Sequence, residues 1–345
     1  MGKKILKISG ELNPEDLGIV LPHEHLLIDT RAYWKEPEKE IDKELAKKPV
    51  TLDIRGDIVY RPFLFLENLY RDNIDDTIEE LMLFKNQGGS SIVDLTNIGL
   101  GRNPFTLLSL YNATGVNIIM GTGYYLPFLY SSEIKSKSEA EITKDIVNEF
   151  EYGIDNSGMR PGIIGEVGIH DFDESDFEIK NLKASAKAQR EIGCALNIHQ
   201  PNWKRIGNKI LNVLEKERVD LSRVILSHCD CDTLTKVADY HDSLAKRGAY
   251  IEYDIFGAEF SSVEGKFFPS DGERIRAIKE QIKRGNLKNI LISHDACHKI
   301  AFTKWGGFGW AHILKHIVPR LKQEEITNEQ IETIIIKNPK RVLSF

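Results

Sequence analysis

The sequence predicts an α/β protein built as a (β/α)8 TIM barrel, on three observations. Eight short, nearly continuous apolar runs recur along the chain, and amphipathic stretches with helical spacing lie between them. The length of 345 residues is usual for one such barrel.

The runs are Ile19–Asp29, Ser91–Asn97, Asn117–Tyr125, Gly162–Ile169, Ala195–Gln200, Arg223–Asp230, Tyr250–Gly257 and Asn289–Ala296. Each is apolar on both faces, as parallel strands covered on two sides require. Helical patterns follow at Asn73–Gln87, Glu139–Phe150, Phe177–Ile192, Gly207–Val219, Leu234–Arg247, Gly272–Arg284 and Trp310–Leu321, with a short one at Phe105–Tyr111. Gly193, Gly248 and Gly285 stand just past three of them, where a left-handed cap is expected. A doubly wound sheet would carry a glycine-rich phosphate loop after its first strand. Gly99-Leu-Gly101 and Gly121-Thr-Gly123 lack a third glycine and a helix directly after, so they read as turns.

We expect one domain, 1–345, with an insertion at 31–71 over the barrel mouth and a last helix at 327–345 opened by Thr327-x-x-Gln330 as a capping box. A net charge of −6 argues against a nucleic-acid or membrane-surface partner, and no apolar run has membrane-spanning length. The start of the chain lacks the apolar stretch of a secretory leader, so the cytoplasm is the expected compartment. Cys194, Cys229, Cys231 and Cys297 are too few for a disulfide framework and have poor zinc-finger spacing; they read as reduced cysteines. A small-molecule substrate is the expected partner, with homodimerisation left open.

Barrels of this kind place reacting groups at the carboxyl ends of their strands. The first run ends in Pro22-His-Glu-His25, whose two histidines share a strand face. The fourth supplies Glu166, the fifth His199, the sixth His228 and the eighth Asp295. A polar end on one apolar strand is unremarkable, but five converging on one barrel mouth call for a metal centre. Six ligands exceed one tetrahedral zinc and suit two divalent cations, Zn2+ first and Mn2+, Co2+ or Fe2+ as alternatives. Glu166 is the natural bridge, and Asp295 doubles as the acceptor for the proton of an attacking hydroxide. His294 is expected to pack or to support a ligand, and His241, His312 and His316 to be structural or exposed. His170 and His298 follow strands and could meet substrate.

These motifs, with Leu12-x-Pro-Glu-Asp-Leu-Gly18, Gly165-Glu-Val-Gly168, Ser227-His228, Ser293-His-Asp295 and Asn338-Pro339, resemble the phosphotriesterase family of the amidohydrolase superfamily. Tyr250-Ile-Glu-Tyr-Asp-Ile-Phe-Gly257 and Lys304-Trp-Gly-Gly-Phe-Gly-Trp310 have the character of its phosphotriesterase-related branch, which includes homology proteins and lactonases. The resemblance implies a binuclear metal hydrolase on a distorted barrel with an N-terminal hairpin. Its ligands would be His23, His25, Glu166, His199, His228 and Asp295, and Tyr125 would stand beside the reacting water. Two departures matter. Many members carry a carboxylated lysine where this chain has Glu166. The acyl-homoserine lactonases carry an arginine where Ile255 follows Asp254.

Specificity falls to the loops. Arg102, Lys204 and Lys299 are candidate contacts to an anionic substrate, and Ile255 to its body. The leading expectation is hydrolysis of a lactone or carboxylic ester of a small anionic metabolite, such as a phosphorylated sugar lactone. The alternative is amide hydrolysis of an N-acyl amino acid or N-acyl taurine, with phosphotriester cleavage as a side activity. A metal-stabilised binding protein without turnover is the non-enzymatic reading.

Overall fold

The computed structural model describes residues 3–172, 175–232, 236–259, 262–263 and 265–345. A hairpin of β1 (Ile5–Lys7) and β2 (Gly10–Leu12) leads into the barrel, whose first strand is β3 (Ile19–Glu24). β4 (Ile28–Asp29) leaves the barrel and pairs antiparallel with β5 (Tyr70–Arg71). The remaining barrel strands are β6 (Gly89–Asp94), β7 (Asn117–Thr122), β8 (Ile163–Gly168), β9 (Ala195–His199), β10 (Val224–Leu226), β11 (Tyr250–Tyr253) and, after the outlying pair β12 (Ser262–Val263) and β13 (Lys266–Phe267), β14 (Ile290–Ile292).

All eight barrel strands are parallel, in the order β14-β11-β10-β9-β8-β7-β6-β3. The seam between β14 and β3 closes largely through side chains. Ser293 Oγ accepts from His23 N at 3.1 Å, and Asp295 N donates to the His23 carbonyl at 3.2 Å. Glu24, between the candidate ligands His23 and His25, accepts from His294 N at 2.9 Å, Ala296 N at 3.1 Å and Trp310 Nε1 at 3.0 Å. Its buried carboxylate stitches the first strand to the last.

Strand alternation builds the interior in tiers. One residue from each barrel strand fills the lowest tier: Val20, Val93, Ile119, Ile163, Ala195, Ile225, Tyr250 and Leu291, closed below by Leu12, Leu17, Val342 and Leu343. Two residues further along four strands come Asn197, Ser227, Glu252 and Ser293, all fully buried. They satisfy one another, with Ser227 Oγ 2.9 Å from Asn197 Oδ1 and Asn197 Nδ2 3.1 Å from Glu252 Oε2. The next inward positions hold His199, Asp254 and Asp295. Polar side chains therefore start midway up the barrel, where hydrogen bonding offsets the cost of burying them.

The insertion carries α1 (Glu40–Ala46) and α2 (Arg55–Tyr60), and its Val50, Ile54, Ile58, Val59 and Phe65 pack on Ile300 from the loop after β14. Buried Arg71, its last residue, donates to the carbonyls of His25, Ala296 (2.7 Å) and His298 (3.2 Å). The insertion is thus tied to both strands that close the barrel.

Outside the strands lie α3 (Ile74–Asn86), α4 (Pro104–Thr114), α5 (Ser132–Ser136), α6 (Glu139–Tyr152), α7 (Asp176–Ile192), α8 (Gly207–Lys216), α9 (Ala238–Ala245) and α10 (Asp271–Lys283). The short pattern at Phe105–Tyr111 becomes the longer α4, because Asn103 caps it and Pro104 suits its first turn. The helix expected over Leu234–Arg247 is seen as α9, and Leu234 lies outside the described residues. The seventh strand ends at Tyr253, four residues before the expected Gly257, because Asp254 N and Ile255 N turn to the carboxylate of Asp230 (3.2 and 3.0 Å). The capping box at Thr327 forms as expected, and Asn338 Nδ2 holds the carbonyls of Leu287 and Ile290, each at 2.8 Å. No described helix is long and apolar enough to cross a membrane.

Candidate metal centre and active-site cavity

The barrel mouth gathers all six residues singled out as ligands. Glu166 is central: its Oε1 lies 2.8 Å from His199 Nδ1, 2.9 Å from His228 Nε2 and 3.7 Å from His23 Nε2. Asp295 Oδ1 lies 3.2 Å from His25 Nε2 and 3.8 Å from His23 Nε2. Among these six, two triads share His23: one with Glu166 and His228, the other with His25 and Asp295, each with ligand atoms within 4.8 Å of one another; a third joins His23 to Glu252 and Asp254. Gly165 makes the approach of Glu166 feasible, since its φ is +143° and a Cβ there would sit 2.8 Å from Asn197.

Hydrogen bonds from below aim the imidazoles. His23 Nδ1 faces Asp254 Oδ2 at 2.9 Å and Glu252 Oε2 at 3.2 Å, while His228 Nδ1 faces Asp254 Oδ1 at 3.0 Å. Carboxylates accept only, so both Nδ1 atoms carry hydrogen. Thr96 Oγ1 donates to the Leu27 carbonyl at 3.1 Å and so accepts from His25 Nδ1 at 2.9 Å. All three rings thereby turn Nε2 toward Glu166 and Asp295, the tautomer assigned from the network that cation binding requires. His23 Nε2 is buried with no hydrogen-bond partner. An orphaned imidazole nitrogen between two carboxylates fits a divalent cation, and the all-nitrogen and oxygen donor set suits zinc and its neighbours.

His228 and Asp295 have left-handed backbone, with φ of 58° and 45°. Such residues cost about 1–3 kcal/mol each and persist when their surroundings over-determine them. Here Asp254 does so for His228, accepting its backbone N–H at 3.0 Å as well as its ring. Asp254 and Glu252 were not among the predicted site residues. Reading Tyr250, Glu252 and Asp254 at strand spacing is the signal that finds them.

Burial opposes charge on His23, but Glu166 and Asp254 outweigh it and hold its pKa well above the histidine range. Burial likewise opposes charge on His228, and Asp254 and Glu166 overcome it. Glu166, despite burial, is held well below the usual carboxylate range by His199 and His23. A raised imidazole pKa means that a proton stays on until the pH exceeds it, and a cation must displace that proton. Metal affinity is therefore expected to rise with pH, about tenfold per pH unit for each proton displaced. Zinc titrations at about pH 6 and about pH 8, run in buffers of different ionisation enthalpy, measure this. Equal affinities with no proton release would refute it.

Above the centre opens a cavity of ≈ 540 Å³. Tyr125 reaches in from the loop after β7, its hydroxyl 3.1 Å from His199 Nδ1. Burial first, then the neighbouring Tyr33 and Glu166, raise its pKa well above the phenol range, so it enters as a proton donor. Lys204 and Ile255 line the wall, as do His170 and His298. His298 is kept uncharged, burial lowering its pKa to about 4. Arg102 is not on the wall; it forms a two-pronged ion pair with Glu149 at 2.8 and 2.7 Å. Lys299 is also off the wall and is bound to Glu67. His294 supports the seam by pairing with Glu24 at 2.7 Å, and His241 and His312 are buried against Tyr253 and Asp271.

Comparison with known proteins follows the same line. The phosphotriesterase family profile matches residues 3–343. A phosphotriesterase-related protein of Nematostella vectensis is 36% identical, covering 98% of this chain and 97% of its own. An N-acetyltaurine hydrolase of Danio rerio is 34% identical over 99% and 98% of the two chains. A resiniferatoxin-binding protein from Rhodobacter sphaeroides superposes with a TM-score of 0.95, at 35% identity over 99% of this chain and 94% of its own. Matched along nearly its whole length, and with metal-binding clusters at its barrel mouth, this chain belongs to the phosphotriesterase family and is a metal-dependent hydrolase.

Proposed function

We propose that the protein hydrolyses the amide bond of a small N-acyl amino acid or amino sulfonate, with N-acetyltaurine as the first candidate. One observation carries this reading: a chain named for N-acetyltaurine hydrolysis matches the protein end to end at 34% identity. It favours the amide over the lactone or ester that the loop composition suggested. His23, His25, Glu166, His199, His228 and Asp295 would hold two divalent cations, Zn2+ being the first candidate. Such a pair supplies Lewis acidity and a water molecule that ionises near neutral pH.

The chain's own groups account for the rest. Asp295, with its side chain 16% exposed at the cavity floor, takes the proton of the attacking water and returns it to the leaving amine. An amine leaves poorly as an anion, so an amide needs this delivery more than a lactone does. Tyr125 Oη donates to the oxygen that gains charge as the carbonyl carbon becomes tetrahedral. Glu252 and Asp254 hold His23 and His228 in register throughout.

Protein reconstituted with zinc is expected to cleave N-acetyltaurine or N-acetyl amino acids with higher kcat/KM than phosphorylated γ-lactones, plain lactones or paraoxon-like esters. Faster turnover of a lactone would replace the amide reading. Metal binding without turnover of any class would support the binding-protein alternative.

A further inference from the structure

Arg55, the first residue of α2, lines the same cavity as the metal centre. Its side chain is half-buried, and its Nε is buried without a hydrogen-bond partner. Among the described residues, no ion pair or hydrogen bond engages its guanidinium. The other charged groups on the wall above the ligands are committed. Lys204 pairs with Asp171 at 3.1 Å and is half exposed, and Glu259 accepts from Asp271 N at 2.6 Å. A buried guanidinium nitrogen without an acceptor is uncommon and calls for one.

The local packing keeps Arg55 in place. Ile54 before it and Ile58 and Val59 after it are anchored in the cluster that joins the insertion to Ile300. Gly306 lies under the side chain: a Cβ there would meet Arg55 Cδ at 3.0 Å and Nε at 3.1 Å. The missing side chain leaves the guanidinium its berth against the wall. A planar fork of donors held this way matches the oxygens of a carboxylate or sulfonate.

We propose that Arg55 is the specificity residue of the active site, pairing with the acidic group of the substrate while the acyl end faces the metal centre. This rests on the amide reading above and deepens it. The reading in turn accounts for an arginine from the insertion that has no partner among the described residues, in a cavity whose other charged wall groups, Lys204 and Glu259, are already engaged. Binding to a remote acid group acts on ground state and transition state alike, so its loss shows mainly in KM.

The test uses three amides of matched length: N-acetyltaurine, N-acetyl-β-alanine and uncharged N-acetylethanolamine. Kinetics are measured on zinc-loaded wild type, Arg55→Gln and Arg55→Lys. Binding is measured by calorimetry in an Asp295→Asn background, where ligand is not consumed. The preference for the anionic amides over the uncharged one is expected to fall roughly 10- to 100-fold in Arg55→Gln, mainly through KM, with partial recovery in Arg55→Lys. The two anionic arms tell sulfonate from carboxylate. An undiminished preference, equal weakening of all three amides, or no binding of either anion to the parent protein overturns the assignment. If anions bind through Arg55 but no amide is cleaved, Arg55 keeps its role and the amide reading falls. If amides are cleaved with the same preference in Arg55→Gln, the amide reading stands and this one falls.

Discussion

Asp295→Asn is expected to lower kcat/KM by roughly 10²- to 10⁴-fold, the span typical of a positioned acid–base group. Asparagine keeps the shape and an oxygen near His25 Nε2, 3.2 Å away in the native protein, but cannot carry a proton between water and amine. Metal content should stay close to that of the parent protein. Steady-state kinetics beside metal analysis on the same preparation measure both. An active variant would remove Asp295 from proton transfer. Activity lost only in proportion to metal would leave it a ligand and nothing more.

Glu166→Gln should have a comparable effect by another route. Glu166 Oε1 lies within 3 Å of both His199 and His228 and 3.7 Å from His23, so it would be the group to serve both cations of the proposed pair. A neutral amide there loses the charge that offsets two dications. Bound metal is expected to fall from two equivalents toward one, and kcat/KM by about 10³-fold, equivalent to several kcal/mol of transition-state stabilisation. Because a glutamate needs no carbamylation, metal uptake by the parent protein should be the same with and without bicarbonate. Full metal content in Glu166→Gln would show that no carboxylate bridge is needed. Bicarbonate-dependent uptake would point to a carbamylated group elsewhere.

The candidate ligand set was legible because its signal is local. Each of those residues ends an apolar run, and a polar group in that position is costly unless something binds it. His23 and His25 share a face by strand spacing alone. The carboxylates that aim the imidazoles were less visible. Asp254 lies two residues beyond Glu252 on a run that looked continuously apolar to Gly257, and the turn toward Asp230 that ends the strand is a contact with a distant residue. Loop cations were the weakest evidence. Arg102 and Lys299 resemble Lys204 in sequence, yet their carboxylate partners, Glu149 and Glu67, lie 47 and 232 residues away. Arg55 drew no notice because the insertion has no periodicity to mark an inward face.

The sequence by itself determined the barrel and which side chains gather at its mouth as candidate metal donors, because alternation, strand spacing and the cost of burying charge operate within a few residues. Tertiary structure alone decided which nitrogen His23, His25 and His228 present, which loop cations are already paired, and that Arg55 of the insertion has no partner among the described residues. Those outcomes depend on side chains brought together from distant segments, where a single carboxylate within hydrogen-bonding reach converts a candidate substrate contact into a structural ion pair.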